Sequence, residues 1–219
     1  MNKRRILVVS LAVCLIAILA FTSIAVFTDS KTVTNVFKAT SDDVGPNPPQ
    51  PEDIFGVKLY ETDITKNDGS ITTDGNVYEK ILPAQTLTKD PTVENTGIHP
   101  EYVRLIVTVD NAAAWQAACA KHKITDLATI FNGFNSAWER KSEAYDKEAD
   151  TLTYVYYLNA PLAPKDTSTL FESVTIPADF DVDDMISLAS FNLTVEAQAI
   201  QSEHIGCDNA FDAFAEYWN

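Results

Sequence analysis

Apolar and polar positions along the chain change period several times, and each change marks an element. Residues Ile6 to Ala25 are apolar almost throughout, broken by Ser10, Cys14, Thr22 and Ser23. Lys3, Arg4 and Arg5 precede that run, as in an export signal. Ser23 and Ala25 put small side chains at −3 and −1, which predicts cleavage before Val26 or one residue later; the alternative is an uncleaved anchor. The stretch AVFTDSKTVTNVFKAT (25–40) becomes rich in β-branched and aromatic residues, and a strand is expected over 26–40. Phe27, Val33, Phe37 and Ala39 fall on one face of it, interrupted by Asp29, Lys31 and Asn35. SDDVGPNPPQPED (41–53) follows as a proline-rich linker able to span at most roughly 40 Å.

From residue 54 the pattern is that of one domain, 54–219. Phe55, Val57 and Leu59 alternate with smaller or polar residues, as in a half-buried strand. Asp68-Gly69 and Asp74-Gly75 signal turns of a hairpin-like meander. Short β-type runs follow in VYEKILP, PTVENTG and EYVRLIVTVD, punctuated by Pro83, Pro91, Gly97 and Pro100. TLTYVYYLN (151–159), TSTLFESVTIP (167–177) and FNLTVEAQAIQ (191–201) return to strand composition, the last alternating Leu193, Val195, Ala197 and Ala199. Between them, residues 111–148 switch to three- and four-residue steps (Ile124, Leu127, Ile130, Phe131, Phe134), predicting a helical insertion with a break near Gly133 and a charged, solvated tail. At the end Asp208 is placed to cap a short helix whose stripe is Phe211, Phe214, Ala215 and Trp218. The expected architecture is a mainly β, antiparallel sandwich with a helical insertion and a short C-terminal helix.

Charge removes one class of partner. The chain has 16 basic and 31 acidic residues, and three of the basic ones lie in the export signal, leaving a formal charge of about −18 beyond it. Phosphate neutralisation needs a basic face, so nucleic acid is not an expected partner. Membrane contact is expected only through the signal before cleavage.

Candidate chemistry is sparse. His99, His122 and His204 sit in no HExxH frame; the readings are three separate surface or turn residues, or a zinc site assembled in space. Asp63 to Asp74, and Asp181 with Asp183 and Asp184, offer hard oxygens for calcium, against plain turns and a solvated acidic loop. No residue is assigned a catalytic role, since there is no GxSxG, P-loop or GxGxxG. Asn192-Leu-Thr matches a glycosylation acceptor but lies inside a predicted strand. Once Cys14 leaves with the signal, Cys119 and Cys207 remain, either bridged or as two buried thiols.

The signal running into AVFTDSKTVTNVFKA, then LYETD, VYEKILPAQTLTKDPTVENTG, YVRLIVTV, LFESVTIP and TVEAQAIQ, resembles in order the TasA/camelysin family of exported Gram-positive proteins. The resemblance covers roughly residues 10–110 and 151–218. It implies processing by a SipW-type signal peptidase, a secreted or cell-surface location and a jelly-roll-like sandwich. Members build fibres of the biofilm matrix, so a structural or accessory subunit is implied, with identical or related subunits as partners. The N-terminal strand of one subunit then enters the sheet of its neighbour. On physics alone, a strand paired with its own sheet closes an edge equally well. Camelysin-like members are classed as metallo-endopeptidases, which makes that activity the alternative; a monomeric surface adhesin binding through its exposed sheet or residues 111–148 is the third reading. The family commonly has glycine after the proline where this chain has Ala84 and Gln85, implying another backbone path there.

Overall fold

The computed structural model describes residues 28–37, 55–62, 69–72, 75–188 and 190–218. In chain order the strands are β1 (Thr28–Phe37), β2 (Val57–Tyr60), β3 (Gly69–Thr72), β4 (Gly75–Tyr78), β5 (Thr86–Thr88), β6 (Thr92–Asn95) and β7 (Glu101–Asp110). Helix α1 (Ala112–Lys121) and a 3-10 turn (Leu127–Ile130) lead to β8 (Phe131–Asn132), β9 (Trp138–Asp146), β10 (Thr151–Leu158), β11 (Thr167–Thr169) and β12 (Ser173–Thr175). Helix α2 (Val182–Leu188), β13 (Phe191–Gln201) and helix α3 (Ala210–Tyr217) complete the described fold.

One layer is a five-stranded antiparallel sheet in the order β1-β13-β7-β10-β9. Alternation writes its inner face. Leu193, Val195, Ala197 and Ala199 of β13 stand opposite Val109, Val107, Leu105 and Val103 of β7, and all eight are buried. On the other side of β7, Leu152, Tyr154 and Tyr156 of β10 continue those rows. Two three-stranded sheets, β11-β6-β2 and β5-β12-β8, add Val57, Leu59, Leu87, Val93, Phe131 and Val174 to the same core. The expected mainly β sandwich is therefore the fold, with a hairpin β3-β4 beside it where the Asp-Gly turns were read.

The stretch 111–148 is helical only in part. Ala112 to Lys121 is α1, but WERKSEAYD, read as a solvated tail, is strand β9, paired with β10 from Asp146 to Trp138 across one register shift. Its Glu, Arg, Lys and Ala favour helix intrinsically, and cross-strand pairing overrides them. Nor is the stretch an appendage: Trp115, Cys119, Leu127, Ile130, Phe131 and Trp138 all belong to the main core. Asn111 starts α1 from a left-handed conformation (φ 52°), and its amide donates to the carbonyls of Ser187 and Leu188 at 3.2 Å. Asp150 supplies the missing cap, accepting from the backbone N–H of Ala113 at 2.8 Å.

The C-terminal helix forms as expected with a different face. Asn209, not Asp208, caps it by accepting from Asp212 N–H at 3.0 Å, which turns Ala210, Ala213 and Phe214 inward and leaves Phe211 and Ala215 exposed. This helix covers the outer face of the large sheet in a second cluster with Tyr102, Ile200 and Ile205, and Arg104 lies 4.2 Å from the Phe214 ring. The Pro83-Ala84 turn places Ala84 in the left-handed region, with φ 63°, and its N–H donates to Ile176 O at 3.0 Å. Among the described residues no helix is long and apolar enough to cross a membrane.

Candidate functional site

Strand β13 is the hub of the large sheet, and β1 forms the edge beside it. The ladder runs without a shift from Thr28 opposite Ile200 to Phe37 opposite Phe191. Val33 stands opposite Val195 and Phe37 opposite Phe191, both in the buried row of β13. Asp29, Lys31 and Asn35 stand opposite Ala199, Ala197 and Leu193 of that row, so the polar interruptions read from the sequence share its register. In the single chain this edge is closed by the chain's own strand. Phe27, Ala39 and the cleavage residues Ser23, Ala25 and Val26 lie outside the described residues, as does the 41–53 linker.

The opposite edge is of another kind. Apart from Trp138, β9 is exposed along its length and carries Glu139, Arg140, Lys141, Glu143 and Asp146. Arg140 grips Asp126 with two bonds of 3.0 and 2.7 Å, and Lys141 pairs with Glu139 at 2.6 Å. The Arg140 bonds hold the Asp126 carboxyl below its usual range. Fixed charge along an edge discourages a further strand. Among the described residues the two edges of the sheet are therefore unequal: β9 is charged and has no strand beyond it, and the other edge is filled by β1.

The histidines do not gather. His99 pairs with Glu203 at 3.0 Å beyond the C-terminal end of β13, and His204 is exposed in the same loop. His122 follows α1, whose Trp115 packs on Phe191 at the other end of β13. It meets two of the aspartates instead: ligand atoms of His122, Asp181 and Asp184 all lie within 4.8 Å of one another. His122 Nε2 is 2.7 Å from Asp184 Oδ2, and the ring packs on Phe180 with centroids 5.5 Å apart. Lys121 also enters the group, donating from Nζ to Asp181 at 2.6 Å and to Asp184 at 3.0 Å. An ammonium thus stands between the two carboxylates where a cation ligand set would converge.

The group clasps the end of α1 to the start of α2. Asp181 caps α2 by accepting from the N–H groups of Asp183 and Asp184, both at 3.0 Å. The Asp181 backbone N–H, 2.9 Å from Asp184 Oδ2, together with His122 and Lys121, holds the Asp184 carboxyl well below the usual range. The acidic segment read as a loop is therefore a helix start, and Asp183 takes no part in the group. Most of the other calcium candidate, Asp63 to Asp74, lies outside the described residues.

Cys119 and Cys207 are both free, which corrects the bridged reading. Cys119 is sealed in the main core and Cys207 is half-buried beside α3, next to the second cluster. Burial pushes both thiols up, Cys207 further by Glu216, so neither is an activated nucleophile. Asn192 is engaged with Asp110 through its backbone N–H at 2.6 Å and its amide at 2.5 Å, in keeping with a structural role. Sequence reading missed two polar groups: the Lys121 clasp, whose partners lie some 60 residues away, and a buried group formed by Glu61, Asn76 and Lys89. Of the first, His122, Asp181 and Asp184 had been singled out, as separate zinc and calcium candidates, and Lys121 had not.

Comparison with family models, with characterised proteins and with solved structures returns no match.

Proposed function

We propose that the chain is an exported structural or accessory subunit of extracellular biofilm-matrix fibres, and that residues 26–40 of one copy are donated to the β13 edge of the next. The observation that carries this is the position of β1: an edge strand at the start of the described chain, in unbroken register with the buried row of β13. Seventeen residues separate Phe37 from Phe55, enough to reach up to roughly 60 Å, so the same ladder can be made in cis or in trans. The charged β9 edge favours growth from one side only. The ordered likeness to TasA/camelysin segments supports the same reading, with a SipW-type peptidase releasing the strand. Lys121 inside the His122 group favours a structural role over a metallo-endopeptidase.

Chains starting at Val26 and at Pro51 test the proposal by light scattering and electron microscopy across pH and salt. The first is expected to polymerise at low pH or high salt, where about −18 of formal charge is neutralised or screened. The second is expected to stay monomeric and to bind a synthetic peptide of residues 26–40. Equal polymerisation of both chains, or of neither, would sink the idea.

A further inference from the structure

The second polar group lies in the core between three sheets. Glu61 directly follows β2, Asn76 is on β4, and Lys89 directly follows β5. Lys89 and the side chain of Glu61 are 0% and 4% exposed, and Asn76 is 4% exposed. One carboxylate holds both neighbours: Lys89 Nζ contacts Glu61 Oε1, and Asn76 Nδ2 donates to Glu61 Oε2 at 3.1 Å. Tyr78, wholly buried with its hydroxyl bonded to Thr88 O, walls the group, and Asp90 is engaged elsewhere with Thr62 N–H at 2.8 Å.

An ion pair alone requires only the lysine and the glutamate. The third member is a carboxamide on the other oxygen of the same carboxylate, which completes a different set: an amine nucleophile, an acyl carbon and a proton carrier between them. We propose that Lys89 and Asn76 are joined by an isopeptide bond that the folded chain forms on itself, with Glu61 carrying the proton.

The chemistry follows from burial. Charge separation is costly away from water, so moving one proton from the Lys89 ammonium to Glu61 leaves a neutral amine and a neutral acid. Desolvation accordingly pushes the Lys89 ammonium towards losing its proton, opposed by Glu61. Turning the Asn76 amide over presents Oδ1 to the Glu61 acid, which polarises the carbonyl. The Nζ lone pair attacks Cγ, and the Nζ–Cγ bond forms. Glu61 returns a proton to Nδ2 as the Cγ–Nδ2 bond breaks, then takes the second amine proton from Nζ, so the leaving group is ammonia and Glu61 is left as the neutral acid. One ammonia leaves; no oxidant, reductant or co-reactant is required. Fixed placement of the groups replaces the activation that amide exchange needs in water. The bond would tie β4 of the hairpin to the segment that follows β5.

The test is peptide mapping of the purified full chain, digested with trypsin after denaturation. The expected product is one branched species containing Asn76 and Lys89, lighter by one ammonia than its two parts and uncut at Lys89. In Glu61→Gln and Asn76→Ala the linear peptides should return at full mass. Linear, unmodified peptides from the folded wild-type chain would overturn the proposal, whether or not the variants fold. So would an ammonia lost within the Asn76 peptide alone, which marks ring closure on its own backbone.

Discussion

Replacing Trp115 by alanine should remove a large share of the stability of the domain. The side chain is 0% exposed, meets Phe191 edge-on with centroids 4.9 Å apart at 86°, and meets Phe180 at 5.8 Å and 48°. Truncating a buried tryptophan costs about 3–5 kcal/mol, of which each aromatic pair supplies about 0.5–1.5. A domain of this size is stable by about 5–15 kcal/mol. Phe191 is also the β13 residue opposite Phe37, so the same cavity loosens the end of the edge on which β1 lies. Trp115→Phe is the informative control. It keeps most of the ring and removes an indole Nε1 that finds no acceptor among the described residues. A buried unpaired donor costs about 1–3 kcal/mol, so part of the lost packing is offset and the net cost should stay below about 2 kcal/mol. Urea unfolding by circular dichroism reads both variants; with a slope near 2 kcal/mol per molar, the alanine midpoint falls by about 1.5–2.5 M. A loss under about 1 kcal/mol for alanine, or equal losses for both, would refute the packing of α1 described above. The same packing predicts that deleting 111–148 unfolds the protein, which makes that deletion unsuitable as a probe of adhesion.

Other outcomes follow from particular contacts. The Asp184 carboxyl is depressed in the fold, so its contribution is fully present above the ordinary carboxylate pKa of about 4 and fades as pH falls below it. The stability gap between wild type and Asp184→Asn should therefore narrow on acidification from pH 7 towards 2 in denaturant titrations; a constant gap would show that charge is not what closes the clasp. A thiol reagent should label Cys207 before Cys119 in the native chain, with no change on prior reduction, and a slow mobility shift on reduction would contradict the two free thiols. Ala84→Gly should raise the urea midpoint slightly. It releases about 1–2 kcal/mol of left-handed strain against about 0.5–1 kcal/mol of added chain entropy, and a fall would argue against the φ of 63°.

Alternation made the strands legible. Leu193, Val195, Ala197 and Ala199 are the inner row that their spacing announced, and the shared parity of Val33 and Phe37 reappears in the β1 register. Local composition failed where pairing or capping decided. Residues 138–146 are helix formers held as a strand by β10, and Asn209 rather than Asp208 takes the cap and rotates α3 away from the predicted stripe. Short α2 was hidden because Asp181, Asp183 and Asp184 read as a solvated loop, although an aspartate before an apolar run is also a helix start. The clasp and the Glu61, Asn76, Lys89 group were beyond reach, since only the fold brings together side chains that far apart in sequence.

Cross-linking at the β1 ladder tests strand donation most directly. Thr34 stands opposite Thr194, and residues directly opposite in an antiparallel pair have Cβ atoms about 4.5–5.5 Å apart, close enough for cysteines to bridge. Chains starting at Val26 with Cys207→Ser and either Thr34→Cys or Thr194→Cys are mixed, assembled and oxidised. Strand donation predicts disulfide-linked heterodimers in the assembled material. Heterodimers absent from assembled material, with a ready intramolecular bridge in the chain carrying both substitutions, would contradict it.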